Sequence, residues 1–160
     1  MTGFIAHVPP AAVAAETVDN EPFFPAVATA DVRAVARFDG AITAAVLRAA
    51  IVAAIVHVND QLRAWAAEQQ AAGHVTLADV PAPSVAGQSQ RLASYQRAIT
   101  AAAQAHLEDT RRAQATLPAG LGKEARVLES AGLRQSDHWR DARHAIADVM
   151  SRMRENVQLI

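Results

Sequence analysis

Residues 43–73 read TAAVLRAAIVAAIVHVNDQLRAWAAEQQAAG, from Thr43 to Gly73. Within them Leu47, Ile51, Ile55, Val58, Leu62 and Trp65 recur at spacings of four, four, three, four and three. A helix at 3.6 residues per turn brings that set onto one face, whereas a strand would need strict alternation. Arg48, Asn59, Arg63 and Gln70 fall on the opposite side. Thr43 opens the stretch and Gly73 stops it; glycine readily takes the left-handed conformation that ends helices. The reading predicts one helix on the order of 40 Å long at 1.5 Å per residue. Each large side chain on its apolar face contributes roughly 1.5–3 kcal/mol if fully buried.

The rest of the chain agrees with this helical reading. Apolar residues make up 51% of the 160, yet aromatics make up only 4%, because alanine alone supplies 39. Alanine has the best helix propensity and lets helices approach closely. The prediction is an all-α helical bundle of about four helices, one of them long, with an extended N-terminal arm and a C-terminal tail. The divisions are 1–30 for the arm, 31–153 for the helical domain and 154–160 for the tail.

Upstream of the long helix, Pro9, Pro10, Pro22 and Pro25 interrupt residues 1–30. Each lacks an N–H and fixes φ, so the segment reads as extended. Phe23, Phe24 and Pro25 stand out there, since adjacent aromatics in an arm dock on something: the chain's own core first, a partner second. Asp31 is the N-cap candidate for a short helix, Val32–Phe38, which Gly40 ends.

Downstream, Pro81 and Pro83 make Thr76 to Gly87 a turn region, with Asp79 favouring the turn. A helix from about Ser89 to Ala115 presents Leu92, Tyr95, Ile99, Ala102, Ala103 and His106. After the break at Leu117–Gly122, Lys123–Ala131 reads as a short helix ended by Gly132. A last helix opens near Ser136 with Trp139, Ala142, Ile146, Val149, Met150 and Met153 on its face. Asp148 and Arg152 fall at i, i+4, a pair worth tenths of a kcal/mol. In the tail, Val157 and Leu159 alternate about Gln158, a strand-like pattern that either folds back or meets a partner.

The net charge of −1 gives no general case for nucleic-acid binding. It divides unevenly, with −4 on residues 1–80 and +3 on residues 81–160, where every basic residue but Lys123 is arginine. Arginine suits interfaces because its planar fork pairs with carboxylates; a GC-rich genome would leave the same bias. With no cysteine, disulfides and thiolate metal sites are excluded. The start MTGFIAHVPP lacks a signal peptide's basic and apolar regions. The run Ala49–Val58 is about half the length of a membrane span.

No catalytic constellation emerges. His7, His57, His74, His106, His138 and His144 form no H-E-x-x-H and no tight i, i+4 pair with a carboxylate. His106 reads as a hydrogen-bonded core histidine. Glu108/Asp109, Asp137/Asp141 and Arg111-Arg112 read as solvated helix faces. Neither phosphate-binding glycine motif nor nucleophile elbow is present. The expectation is no catalytic residue, no metal and no cofactor.

Four stretches carry a resemblance. They are Phe23-Phe24-Pro25 before a short acidic-capped helix, and Leu47-Arg48-Ala49-Ala50-Ile51. Gln70-Ala71-Ala72-Gly73 follows, with Thr76-Leu77-Ala78-Asp79-Val80-Pro81-Ala82 behind it. The fourth is Trp139-Arg140-Asp141-x-Arg143 with Ala145-Ile146-Ala147, running to Val157-Gln158-Leu159-Ile160. In this order and spacing the chain resembles the head-completion (L-type) head–tail connector proteins of peduovirus-type tailed phages, from about residue 20 onward. Residues 1–20 and the Leu117–Lys123 connection depart from that pattern.

The resemblance implies a structural virion protein, not an enzyme, working at the head–tail interface after a stay in the host cytoplasm. It implies binding to the portal vertex after DNA packaging, help in retaining the genome and a docking surface for neck or tail-completion proteins. Neighbouring copies would form a twelve-membered ring, with packaged DNA in the channel read without sequence specificity and no membrane involved. Extended C-terminal segments of related adaptors reach the portal, which implies that role for Arg154, Asn156, Val157, Leu159 and Ile160. The competing class is a helical DNA-binding protein such as a small terminase subunit. It would need a helix-turn-helix within residues 134–154, where Asp137, Asp141 and Asp148 dilute the basic charge.

Overall fold

The computed structural model describes residues 16–36, 42–115 and 123–152, with side chains left out for 112–134. The described chain opens with a two-stranded antiparallel pair, β1 (Thr17–Val18) and β2 (Val27–Ala28), in which Thr17 faces Ala28 and Val18 faces Val27. Helix α1 (Thr29–Ala36) follows directly. It starts ahead of the predicted Val32–Phe38. The Thr29 N–H and hydroxyl both donate to the Glu16 carbonyl, at 2.9 and 2.8 Å, so the strand pair starts the helix. Asp31 then lies in the first turn, where its charge favours the helix dipole. The predicted end at Gly40 lies outside the described residues.

Helix α2 (Ala44–Ala71) is the predicted long helix. The Thr43 hydroxyl accepts from the Val46 N–H at 3.3 Å. At the far end the Gly73 N–H donates to Gln70 and the His74 N–H to Gln69, both at 3.0 Å, with Gly73 at φ +97°. That is a Schellman ending, which satisfies the last orphan carbonyls. Leu47, Ile51, Ile55, Val58, Leu62 and Trp65 are all buried. Asn59 is a correction: assigned to the polar side, it is buried, because its amide has partners described below. The helix is also long and apolar enough over 18 residues to cross a membrane by composition, a longer stretch than Ala49–Val58 because its alanines count as apolar. In this fold it packs as a core helix.

A single 3-10 turn (Leu77–Asp79) leads into a hairpin, β3 (Ser84–Val85) and β4 (Gln88–Ser89). The Asp79 carboxylate accepts from both the N–H and the hydroxyl of Thr76, at 2.8 Å each. These bonds hold its pKa below the usual carboxylate range. Two helices complete the bundle, α3 (Gln90–Ala115) and α4 (Lys123–Val149).

The α4 boundaries correct two expectations. Gly132 does not end a short helix but lies inside one continuous helix. A single interior glycine costs about 1 kcal/mol relative to alanine, which the hydrogen-bond ladder on both sides withstands. As a result three helices are long instead of one, and α1 is the short fourth among the described residues. Second, the helix ends at Val149, so Asp148 and Arg152 are not an intrahelical pair; Asp148 pairs with Arg97 of α3.

Alongside the large side chains of α2, the core holds many small residues on the other long helices. Ala98, Ala102, Ala103 and Ala105 of α3 are fully buried, as are Ala142 and Ala145 of α4. Packing between α3 and α4 dominates the tertiary structure, and α2 lies against α3. Alanine removes little side-chain entropy on burial, so close approach is gained at low cost.

Candidate interaction site

Phe23, Phe24 and Pro25, the arm residues singled out in the sequence, come together with the bundle. Phe23 and Phe24 are both buried. Their rings meet edge to face at 5.1 Å; Phe23 also meets Trp65 of α2 at 6.2 Å, and Phe24 stacks on Tyr95 of α3 at 5.1 Å. Such pairs add roughly 0.5–1.5 kcal/mol beyond area burial. The Leu77 N–H donates to the Phe23 carbonyl at 2.8 Å, tying the 3-10 turn to the same segment.

Beneath these rings lies a closed polar triangle. The Asn20 amide donates to the Tyr95 hydroxyl at 2.7 Å and to the Pro25 carbonyl at 2.9 Å. Tyr95 donates to Asn59 Oδ1 at 2.7 Å, and Asn59 Nδ2 donates to Asn20 Oδ1 at 2.8 Å. Burial pushes the Tyr95 hydroxyl well above its ordinary pKa, so it stays a neutral donor. The arm, α2 and α3 each contribute one corner. Sequence reading missed Asn20 and Asn59. No local signal exposed them, because a lone asparagine in a loop or on a helix reads as solvated.

The tail residues Arg154, Asn156, Val157, Leu159 and Ile160 lie outside the described residues. What leads to them is described. Ser151 adopts φ +55°, and the Arg152 N–H returns to the Ala147 carbonyl at 2.9 Å. The chain thus turns off the axis of α4 beside Pro83, Gln90 and Arg91, at a surface groove of about 630 Å³. Arg91 fastens this end. Its guanidinium sits 5.4 Å from the Trp65 ring, donates to the Pro81 carbonyl at 3.2 Å and also donates to the Val149 carbonyl. Burial lowers its pKa.

The remaining candidates for chemistry fall into structural roles. Among the described residues no group of three or more His, Asp or Glu is placed to hold a metal. Arg111 pairs with Glu108 at 3.5 Å and Arg140 with Asp137 at 2.9 Å, while Gln135 donates to Asp109. His57, His106 and Trp139 form a ring cluster across three helices, with Trp139 centred 4.6 Å from His57 and 5.0 Å from His106. His106, expected to be a hydrogen-bonded core histidine, has its Nε2 buried without a hydrogen-bond partner. Burial lowers the His106 pKa, nearby His57 adds to this, and Asp109 opposes it.

Among the described residues, the geometry joins an arm to a helical bundle, an arrangement that fits more than one role. Comparison with known proteins decides which one. The family model described as phage head completion protein (GPL) matches residues 18–160. The chain belongs to the phage head completion protein family. A curated relative, the head completion/stabilization protein of Escherichia phage P2, is 32% identical over 137 residues, which cover 86% of this chain and 79% of the relative. No solved structure matches. The match begins at Val18, in β1, so the docked arm lies inside the family's span. The phage head completion family is one of structural proteins, and the all-α bundle here is its framework in this chain.

Proposed function

We propose that this head completion protein is a head–tail adaptor. It binds the portal vertex once packaging ends, helps retain the genome and presents the docking surface for the next neck or tail component. Twelve copies close a ring around the DNA channel without reading its sequence. The protein waits in the host cytoplasm and then becomes part of the virion neck. Family membership over residues 18–160 is the observation that carries this reading.

The C-terminal tail supplies the portal contact, through Arg154, Asn156, Val157, Leu159 and Ile160. Support comes from the left-handed turn at Ser151, which ends α4 just before those residues. A short segment ordering on its target loses entropy that many identical copies offset through avidity. Against the DNA-binding alternative, which placed a helix-turn-helix within residues 134–154, residues 134–149 lie inside one continuous α4.

The test is co-sedimentation with the phage's portal, comparing the full chain with one lacking Arg154–Ile160. The full chain should pellet with the portal, and the shortened chain should stay in the supernatant with nearly unchanged helicity and melting. A full chain that ignores the portal and instead binds DNA in a salt-sensitive way overturns the adaptor reading.

A further inference from the structure

His57 of α2, His106 of α3 and Trp139 of α4 bring one ring each to a single junction. The two histidine rings are centred 6.4 Å apart and nearly perpendicular, and Trp139 meets both. The geometry is that of two neutral rings. The Gln61 amide donates to His57 Nε2 at 2.7 Å, which requires that nitrogen to carry no proton. His106 Nε2 is buried without a hydrogen-bond partner, so the N–H of a charged ring finds no acceptor there.

Few charges offset a proton on His106. Burial disfavours the charged ring first, and His57 of α2 adds to this. Asp109, on the same helix as His106, favours it, but Asp109 is exposed and already accepts from Gln135 of α4. Glu108, also on that helix, pairs with Arg111 at 3.5 Å. From α4 the uncharged indole of Trp139 faces the ring, and beside that indole Asp137 pairs with Arg140 at 2.9 Å.

We infer that this junction is an acid-sensitive latch: when both histidines carry charge they push apart, and the contact of Trp139 with α2 opens while α4 stays packed on α3. Packing of α4 on α3 far exceeds its packing on α2. Ala142, Ala145, Ile146 and Val149 of α4 are buried in the core, whereas Trp139 is only partly buried against it. A lightly held contact opens locally at less cost than the whole bundle unfolds. The closed form favours the neutral ring of His106. It is therefore present above the ordinary histidine value of 6.5 and is lost as pH falls through that value toward the lower folded one. Two like charges this close titrate as a pair, so opening follows the second proton. The latch depends neither on the portal nor on other copies of the chain.

The chain holds only two tryptophans, Trp65 and Trp139. Full chain labelled with fluorotryptophan therefore gives one fluorine resonance for each, and Trp139→Phe assigns them. Spectra and far-UV circular dichroism are followed from neutral pH downward. The Trp139 resonance should gain a solvent isotope shift, the mark of exposure to water, with a midpoint below the ordinary histidine value, while Trp65 and the helicity hold. His57→Gln and His106→Gln should each abolish that transition or move it to lower pH, because either leaves a single charge. Should His106→Gln fail to fold, His57→Gln, at a half-buried position, decides alone. Trp139 staying sheltered while the helicity holds overturns the latch. So do both resonances changing together with loss of helicity, which is acid unfolding of the whole bundle, and a transition that survives either substitution unchanged.

Discussion

Asn59 shows how one residue's role depends on groups far along the chain. On the helical wheel of α2 it belongs to the polar side, yet Asn20 and Tyr95, 39 and 36 residues away, bury it. Asn59→Leu leaves the Tyr95 hydroxyl without its acceptor and Asn20 Oδ1 without the amide. A buried unsatisfied group costs about 1–3 kcal/mol, and each kcal/mol lowers Tm by about 2–4 °C in a chain of this size. Thermal melting should therefore drop by several degrees; an unchanged melt would mean water replaces the amide at no cost. His106 makes the pH prediction. Its pKa is lowered on folding, so the folded state favours the neutral ring. Stability is present above the ordinary histidine value of 6.5 and is lost as pH falls through that value toward the lower folded pKa. Melting should weaken as pH falls through the ordinary histidine value, and His106→Gln should flatten that dependence. A variant with the same slope as the parent would place the acid sensitivity elsewhere.

At the scale of the element, the two helix endings invite a paired test. Gly73 closes α2 at φ +97° with nothing within 4 Å of where a Cβ would stand. Ser151 closes α4 in the same left-handed region, at φ +55°, with a side chain that disfavours it. The left-handed conformation costs an L-residue roughly 1–2 kcal/mol that glycine avoids. Urea denaturation should show Ser151→Gly gaining about 1 kcal/mol and Gly73→Ala losing about as much. If both changes move the midpoint the same way, backbone conformation is not what governs these ends. The contrast was half legible in the sequence. Gly73 announces a stop because glycine is conformationally free, while nothing about Ser151 does, since the end of α4 is set by its Schellman hydrogen bonds. Gly132 misled for the converse reason: a glycine signal is local, and an established helix carries through one glycine.

At the scale of the whole molecule, the arm from Glu16 is part of the core. Phe24 bridges it to Tyr95, and Phe23 bridges it to Trp65. Phe24→Ala removes a buried aromatic and should cost about 3–5 kcal/mol. Calorimetry should record a single transition at much lower temperature. A loss below about 1 kcal/mol would mean that the arm undocks without disturbing the bundle. The charge asymmetry between the halves, visible in composition, is not offset by the ion pairs described, because each joins two residues of the same half. Glu16 of the acidic half pairs with Arg48 at 2.7 Å, and Arg97 of the basic half pairs with Asp148 of the same half.

Periodicity determined that α2 is a helix and which face it buries, because 3.6-residue spacing is a local property that survives any tertiary context. Alanine content and the scarcity of aromatics determined that helices pack on helices. The ordered stretches from Phe23 to the Val-Gln-Leu-Ile end marked the family that the comparisons show. Only the tertiary structure decided that Phe23 and Phe24 fill the chain's own core, that Asn59 faces inward, and that valines on α2 and α1 remain uncovered. Burial is set by which elements meet, and those meetings join residues many tens of positions apart. A single side chain's neighbours in sequence carry no record of such partners.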